Sequence, residues 1–201
     1  MNTKGGIVVS KKEMTRIWMD GKMIPVTLVE VLPQKILRYK TVEKDGYQAV
    51  VIWVNEKETK KEKGYKLSYD TVTEFAIDDN FQSNNEIGKN IDDSFLEDIK
   101  TVEVKGISKG KGYQGVMKRF HLQGWPETHG SKFHRHVGSM GNRKPRRTMK
   151  NHPHAGHMGS ENVTIKNVSI IDRIKHDDKN VLVVKGSLPG WRNSNLKFII
   201  E

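Results

Sequence analysis

The sequence contains no cysteine. That excludes a disulfide framework, a thiolate metal site and a cysteine nucleophile. It suits a reducing compartment. Long apolar runs are missing too. The longest, AVVIWV at residues 49–54, is far below the roughly 20 residues of a membrane-spanning helix. The opening MNTKGGIVV has too short an apolar run for a signal peptide and is not an Arg-rich amphipathic transit sequence. A polybasic membrane-surface role would need an amphipathic helix beside the charge, and Gly and Pro interrupt every candidate. We therefore expect a soluble cytoplasmic protein with no membrane partner. Acids are also nearly absent from one long stretch. Between residues 105 and 160 the only one is Glu127.

That stretch holds what the rest of the chain lacks. It carries twelve Lys or Arg against its one acid, which makes +11, the whole formal charge of the protein. Outside it, bases and acids balance. It also holds seven of the eight His and ten of the eighteen Gly. Its only aliphatic side chains larger than Ala, methionine aside, are Ile107, Val116, Leu122 and Val137. Such a segment buries too little apolar surface to fold alone, and its like charges repel. A polyanion would order it, and nucleic acid is the obvious one.

The remaining 145 or so residues suffice for a hydrophobic core. They read as β. Residues 5–10 begin a strand. A polar turn, KKEMTRIWMDG, follows and ends on the hairpin signal Asp20-Gly21. Residues 24–31, 35–41 and 47–54 read as strands, with a turn at Asp45-Gly46. The charge run NEKETKKEK at 55–63 reads as a solvated loop or frayed helix. A strand is expected within 66–77, a polar loop at 78–86, and one or two helical turns within 87–99. Residues 101–107 alternate as a strand into the basic stretch. After it come strands at 162–174, 181–185 and 196–200. Turns lie between them at Asp177-Asp178-Lys179-Asn180 and at Leu188-Pro189-Gly190. Short strands with regular turns suggest a small closed barrel, interrupted once.

Two motifs look enzymatic. Gly110, Gly112 and Gly115 spell G-x-G-x-x-G. A dinucleotide site needs a following helix and an acid about twenty residues on, where the chain instead reads KFHRHV. A Walker loop needs Ser or Thr where Gly112 stands. The better reading is a side-chain-poor strand whose backbone can press against phosphates. His152, His154 and His157 resemble the cluster of metallo-β-lactamase-type hydrolases, which normally carries Asp where Gly156 stands. A hydrolytic site also wants a carboxylate, and the surrounding bases oppose a dication. A metal-dependent hydrolase using this cluster is one alternative, and a general nucleic-acid-binding or architectural protein another. The aromatic residues Tyr113, Phe120, Trp125 and Phe133 among the bases serve either to stack on nucleobases or to anchor the segment's own clusters.

Five blocks in order carry a resemblance. They are KKEMTRIWMDGKMIPVTLVEV, VEVKGISKGKGYQGVMKRF, HGSKFHRHVGSMGNRKPRRTMK, AGHMGSENVTIKN and VLVVKGSLPG. Together they closely resemble the bacterial-type ribosomal protein L-three family. The match is co-linear over nearly the whole chain and weakest from 55 to 86.

The resemblance implies a mainly β fold: a translation-protein-type β-barrel with a long basic extended loop and a small appended α+β subdomain. Residues 1–104 and 161–201 would form the discontinuous barrel domain, with 55–100 the appended subdomain. Residues 105–160 would form the rRNA-penetrating loop. It implies a structural constituent of the large subunit that binds 23S-type rRNA, acts early in assembly, contacts neighbouring ribosomal proteins and approaches the peptidyl transferase centre. No catalytic residue, metal, cofactor or small-molecule substrate is expected. The expected RNA contacts are Lys11, Lys12 and Arg16 near the start, then Lys109, Lys111, Lys118, Arg119, His129, Lys132, Arg135, Arg143, Lys144, Arg146, Arg147, Lys150, His154 and His157. Of these, His157 is expected near the loop tip, where family members often carry a Gln that can be methylated.

Overall fold

The computed structural model describes residues 5–58, 67–91, 99–143, 146–176 and 179–200. Among them the chain is mainly β and forms several sheets. It divides into two compact units, Met1–Ile107 with Asn162–Glu201, and Ser108–Glu161.

In the first unit, six strands close a barrel. In chain order they are β1 (Gly5–Met19), β2 (Lys22–Val31), β6 (Thr101–Ile107), β9 (Asn162–His176), β10 (Lys179–Lys185) and β11 (Asn195–Ile200). Around the barrel the order is β1-β11-β6-β9-β10-β2, and the pairings are antiparallel. The period-2 pleat sets what is inside. Along β11, Leu196, Phe198 and Ile200 are buried and their neighbours are not.

The segment expected as a polar turn is instead the second half of β1. The β1–β2 ladder runs from Val9↔Val31 to Met19↔Lys22. Only Asp20 and Gly21 turn, with φ of 50° and 74°, the two positive values that a tight hairpin needs. Ladders are built from backbone groups, so polar side chains do not end a strand whose outer half faces water.

A second sheet is ordered β3-β4-β5, with β3 Gln34–Lys40, β4 Ala49–Glu58 and β5 Leu67–Ala76. A four-residue helix, α1 (Val42–Asp45), precedes Gly46 at φ 81°. Strand β4 runs into the charge run, where Glu56↔Tyr69 and Glu58↔Leu67 continue the ladder with β5. That corrects the loop or helix expected at 55–58, while residues 59–63 lie outside the described residues. Helix α2 (Asp79–Asn84) replaces the polar loop expected at 78–86. Its Phe81 is 1% exposed, and burying that ring outweighs the polar composition around it. Residues 87–91 form a turn and a bridge to β3. Residues 92–98, which complete the expected helical turns, lie outside the described residues, as do Asp177 and Asp178, while Lys179 and Asn180, expected in that turn, instead pair with His176 and Lys175 in the β9–β10 ladder.

The barrel and this sheet share one core cluster, in which Ile7, Val9 and Phe198 join Val50, Ile52, Phe75 and Phe81. The first half of β1 is therefore buried on both faces. Gly6 is needed there, because a Cβ would lie 2.2 Å from the ring of Phe75. Gln34 links the layers. Its buried Oε1 accepts a hydrogen bond from the Val8 backbone N–H at 2.9 Å.

Candidate nucleic-acid interface

The unit Ser108–Glu161 is tied at its foot. The Ser108 N–H donates to the Glu161 carbonyl at 2.9 Å, and the Ser160 N–H donates back to the Ser108 carbonyl at 3.2 Å. Next comes a small hairpin of β7 (Gly112–Gln114) and β8 (Gly156–Met158). It pairs Gly112↔Met158, Tyr113↔His157 and Gln114↔Gly156. A short helix, α3 (Val116–Phe120), follows, anchored by Val116 at 2% exposed. His121 at φ 56° ends it.

Glycines let a guanidinium lie against the backbone. Arg119 Nη1 donates to the His154 carbonyl at 3.0 Å. A Cβ on Gly156 would lie 2.6 Å from the same nitrogen. Arg119 also stands over the Phe120 ring, 5.0 Å from its centroid. Further out, Phe133 stacks on His136 with centroids 4.2 Å apart and meets Trp125 edge-on at 6.1 Å. The Trp125 backbone N–H donates to the His134 carbonyl at 3.1 Å. Part of the aromatic content thus anchors the segment itself.

The bases are presented to solvent. Lys109, Lys111, Lys118, Lys132, Arg135, Arg143, Arg146, Arg147, Lys150, His129 and His157 are exposed, while Arg119 and His154 are half-buried. Lys144 lies outside the described residues. Among the described residues, Lys111, Lys118, Lys132 and Arg135 have no carboxylate within ion-pair distance. Ion pairs gather elsewhere, as in Lys12–Glu30 at 2.6 Å and Lys40–Glu74 at 2.8 Å.

Two sequence expectations change. Lys11 is not a surface cation: it is 7% exposed, and its ammonium donates to the carbonyls of Leu188 at 2.6 Å and Gly190 at 3.3 Å. Lys12 is half-exposed beside Glu30, and Arg16 stands open to solvent. His157 is not at the far end of the unit. It lies on β8 close to the foot, edge-on to Tyr113 at 5.8 Å, because β7 and β8 pair in that register. The histidines do not converge either. His152 and His154 adjoin at 5.1 Å, and no group of three or more metal-ligating side chains comes together among the described residues.

One convergence was invisible in the sequence. Lys109, Lys111, Arg119, Phe120 and Met158 line a hollow of about 430 Å³ within this unit. Sequence spacing cannot bring position 109 beside 158, since only the hairpin register does so.

Fold and charge together define a class: an antiparallel β-barrel protein carrying a glycine- and base-rich insertion between two paired strands. The chain belongs to the ribosomal protein L3 family, whose model, described as "Ribosomal protein L3", matches residues 56–184. It is 40% identical over 200 residues to the large ribosomal subunit protein uL3 of Oceanobacillus iheyensis, covering 96% of this chain and 95% of that protein. It is likewise 40% identical over 196 residues to the large ribosomal subunit protein uL3 of Streptococcus pyogenes serotype M1, covering 94% and 93%.

Proposed function

We propose that this protein is a structural, non-enzymatic constituent of the large subunit of cytoplasmic ribosomes. It binds 23S-type rRNA directly, helps nucleate subunit assembly and contacts neighbouring ribosomal proteins. Residues 1–104 with 161–201 act as a translation-protein-type barrel domain, with 55–100 as its appended part. Residues 105–160 act as an extended loop directed into RNA toward the peptidyl transferase centre. The contacts are made by Lys12, Arg16, Lys109, Lys111, Lys118, Arg119, His129, Lys132, Arg135, Arg143, Lys144, Arg146, Arg147, Lys150, His154 and His157.

The observation that carries this reading is the segregation of charge in a member of this family. Residues 105–160 carry the whole formal charge of +11, and among the described residues Lys111, Lys118, Lys132 and Arg135 there have no carboxylate within ion-pair distance. Folded RNA offers phosphates and 2′-hydroxyls at high density to such a segment. The test is binding of a 23S-type rRNA fragment across a salt series. With about six to ten bases on phosphates, affinity should fall by about three or more decades between about 50 and 200 mM salt. A nearly flat response, or failure of the cellular protein to sediment with large subunits, overturns the reading.

A further inference from the structure

A groove of about 490 Å³ opens on the barrel unit beside Ile107 and Asn162, the two residues that flank the basic insertion in sequence. Its walls combine three chemistries. Trp191 and Ile107 present apolar surface and are 57% and 59% exposed. Asn162 and Asn195 bring side-chain amides, each with donors and an acceptor. Lys105 and Lys197 bring positive charge.

The two lysines are direct partners in the β11–β6 ladder, so their side chains leave the same face side by side. Like charges placed directly opposite destabilise a sheet. Glu103 relieves only part of this. Its Oε1 lies 3.3 Å from Lys105 Nζ and its Oε2 is 4.0 Å from Lys166 Nζ. Burial, and then the neighbouring Lys105, push the Lys197 ammonium below its ordinary pKa, with Glu74 acting the other way. A bound anion would relieve the pair.

The loop bearing Trp191 is held in place. Ser194 donates to the Trp191 carbonyl from its N–H at 3.3 Å and from its hydroxyl at 2.8 Å. Lys11 holds the adjacent Gly190 carbonyl. The backbone that carries the indole is thus fixed in place.

We propose that this groove takes one unstacked nucleotide of an RNA strand, its base against Trp191 and Ile107 and its phosphate on Lys105 and Lys197. A nucleotide meets all three chemistries at once: a flat apolar face, hydrogen-bonding edges and an anion. An apolar peptide would cover the indole and leave the opposed ammoniums of Lys105 and Lys197 unrelieved. The inference rests on the ribosomal reading, which supplies the RNA, and names a contact on the barrel unit, outside Ser108–Glu161.

The test uses the full chain in assembled large subunits. Trp191 is replaced by the photo-crosslinking residue benzoylphenylalanine, and Phe133 in the insertion is replaced in parallel. Irradiation should give an RNase-sensitive adduct at position 191. An RNase-resistant adduct with a protein, or no adduct there while position 133 reacts with RNA, overturns the groove and spares the ribosomal reading. No RNA adduct from either position overturns both. In a second measurement, Trp191→Ala should weaken binding of hexauridylate to the full chain by about five- to a hundredfold, and Trp191→Phe should restore most of it. Equal affinity of the Ala variant and the parent overturns the groove.

Discussion

The ammonium of Lys11 donates to the carbonyl oxygen of Leu188 at 2.6 Å, joining positions 177 apart in sequence. The same group reaches the Gly190 carbonyl, and its backbone accepts from Asn193 and donates to Ser194. Lys11 therefore fastens the 188–194 loop to the barrel wall. Removing it strands buried carbonyls, whose hydrogen bonds to a charged donor are worth about 1.5–3 kcal/mol each. Lys11→Met should lower unfolding free energy by about 2–3 kcal/mol in denaturant titrations. The salt slope of RNA binding should not change, because no surface charge is lost. A changed slope with unchanged stability would place Lys11 on the RNA after all.

The insertion should be removable. Ile107 and Asn162, which flank it, are direct partners in the β6–β9 ladder. A short Gly/Ser linker can replace residues 108–161 without stretching the chain, and closure entropy varies only logarithmically with loop length. The shortened protein should keep a cooperative thermal transition and lose its affinity for the rRNA fragment. Loss of the transition would show that the barrel leans on the insertion for stability.

A pH dependence follows from the second sheet. Hydrogen bonds from Lys40 first, and Tyr47 second, hold the Glu74 carboxyl below the ordinary carboxylate range. Its stabilisation is therefore present above the unfolded value of 4.5 and is lost as pH falls through the lower folded value. Lys40 is raised above 10.5, by its bond to Glu74 foremost, so its contribution fades only as pH rises through that raised value. Between these limits the cluster's effect is flat. Glu74→Gln should be less stable than the parent at neutral pH, and the gap should close in acid. Chemical denaturation at neutral pH and in acid would check this. A gap that persists unchanged in acid would mean the carboxylate is not the stabilising species.

The mainly β character was legible because β-branched runs between turn residues leave little else. Asp20-Gly21 was legible as a hairpin signal, but the length of the strand before it was not. That error hid Lys11. In a strand, neighbours point to opposite faces, so Lys11 turns inward while Lys12 reaches Glu30 outside. Read as a turn, the segment has no such parity and its bases look alike. His157 went astray for a related reason. Composition marks a basic stretch, but only pairing register says that Tyr113 stands opposite His157. Gly6 was equally opaque, since the Phe75 ring that requires its bareness lies some seventy positions later. In each case the deciding partner is distant in sequence, and local patterns carry no information about it.

The pairing of β1 with β11, Gly5 opposite Ile200, bears on how the chain comes into being. Synthesis runs from the amino end, so one edge of the first strand waits unpaired until β11 has emerged. Contacts of such high sequence separation form late. By then the cationic segment between β6 and β9 has already left the exit tunnel, before the ring that will carry it can shut. Nascent molecules thus display their most adhesive surface ahead of their most stable one. An open strand edge beside a free polycation invites premature partners, which makes the interval before closure the vulnerable moment in the life of this protein.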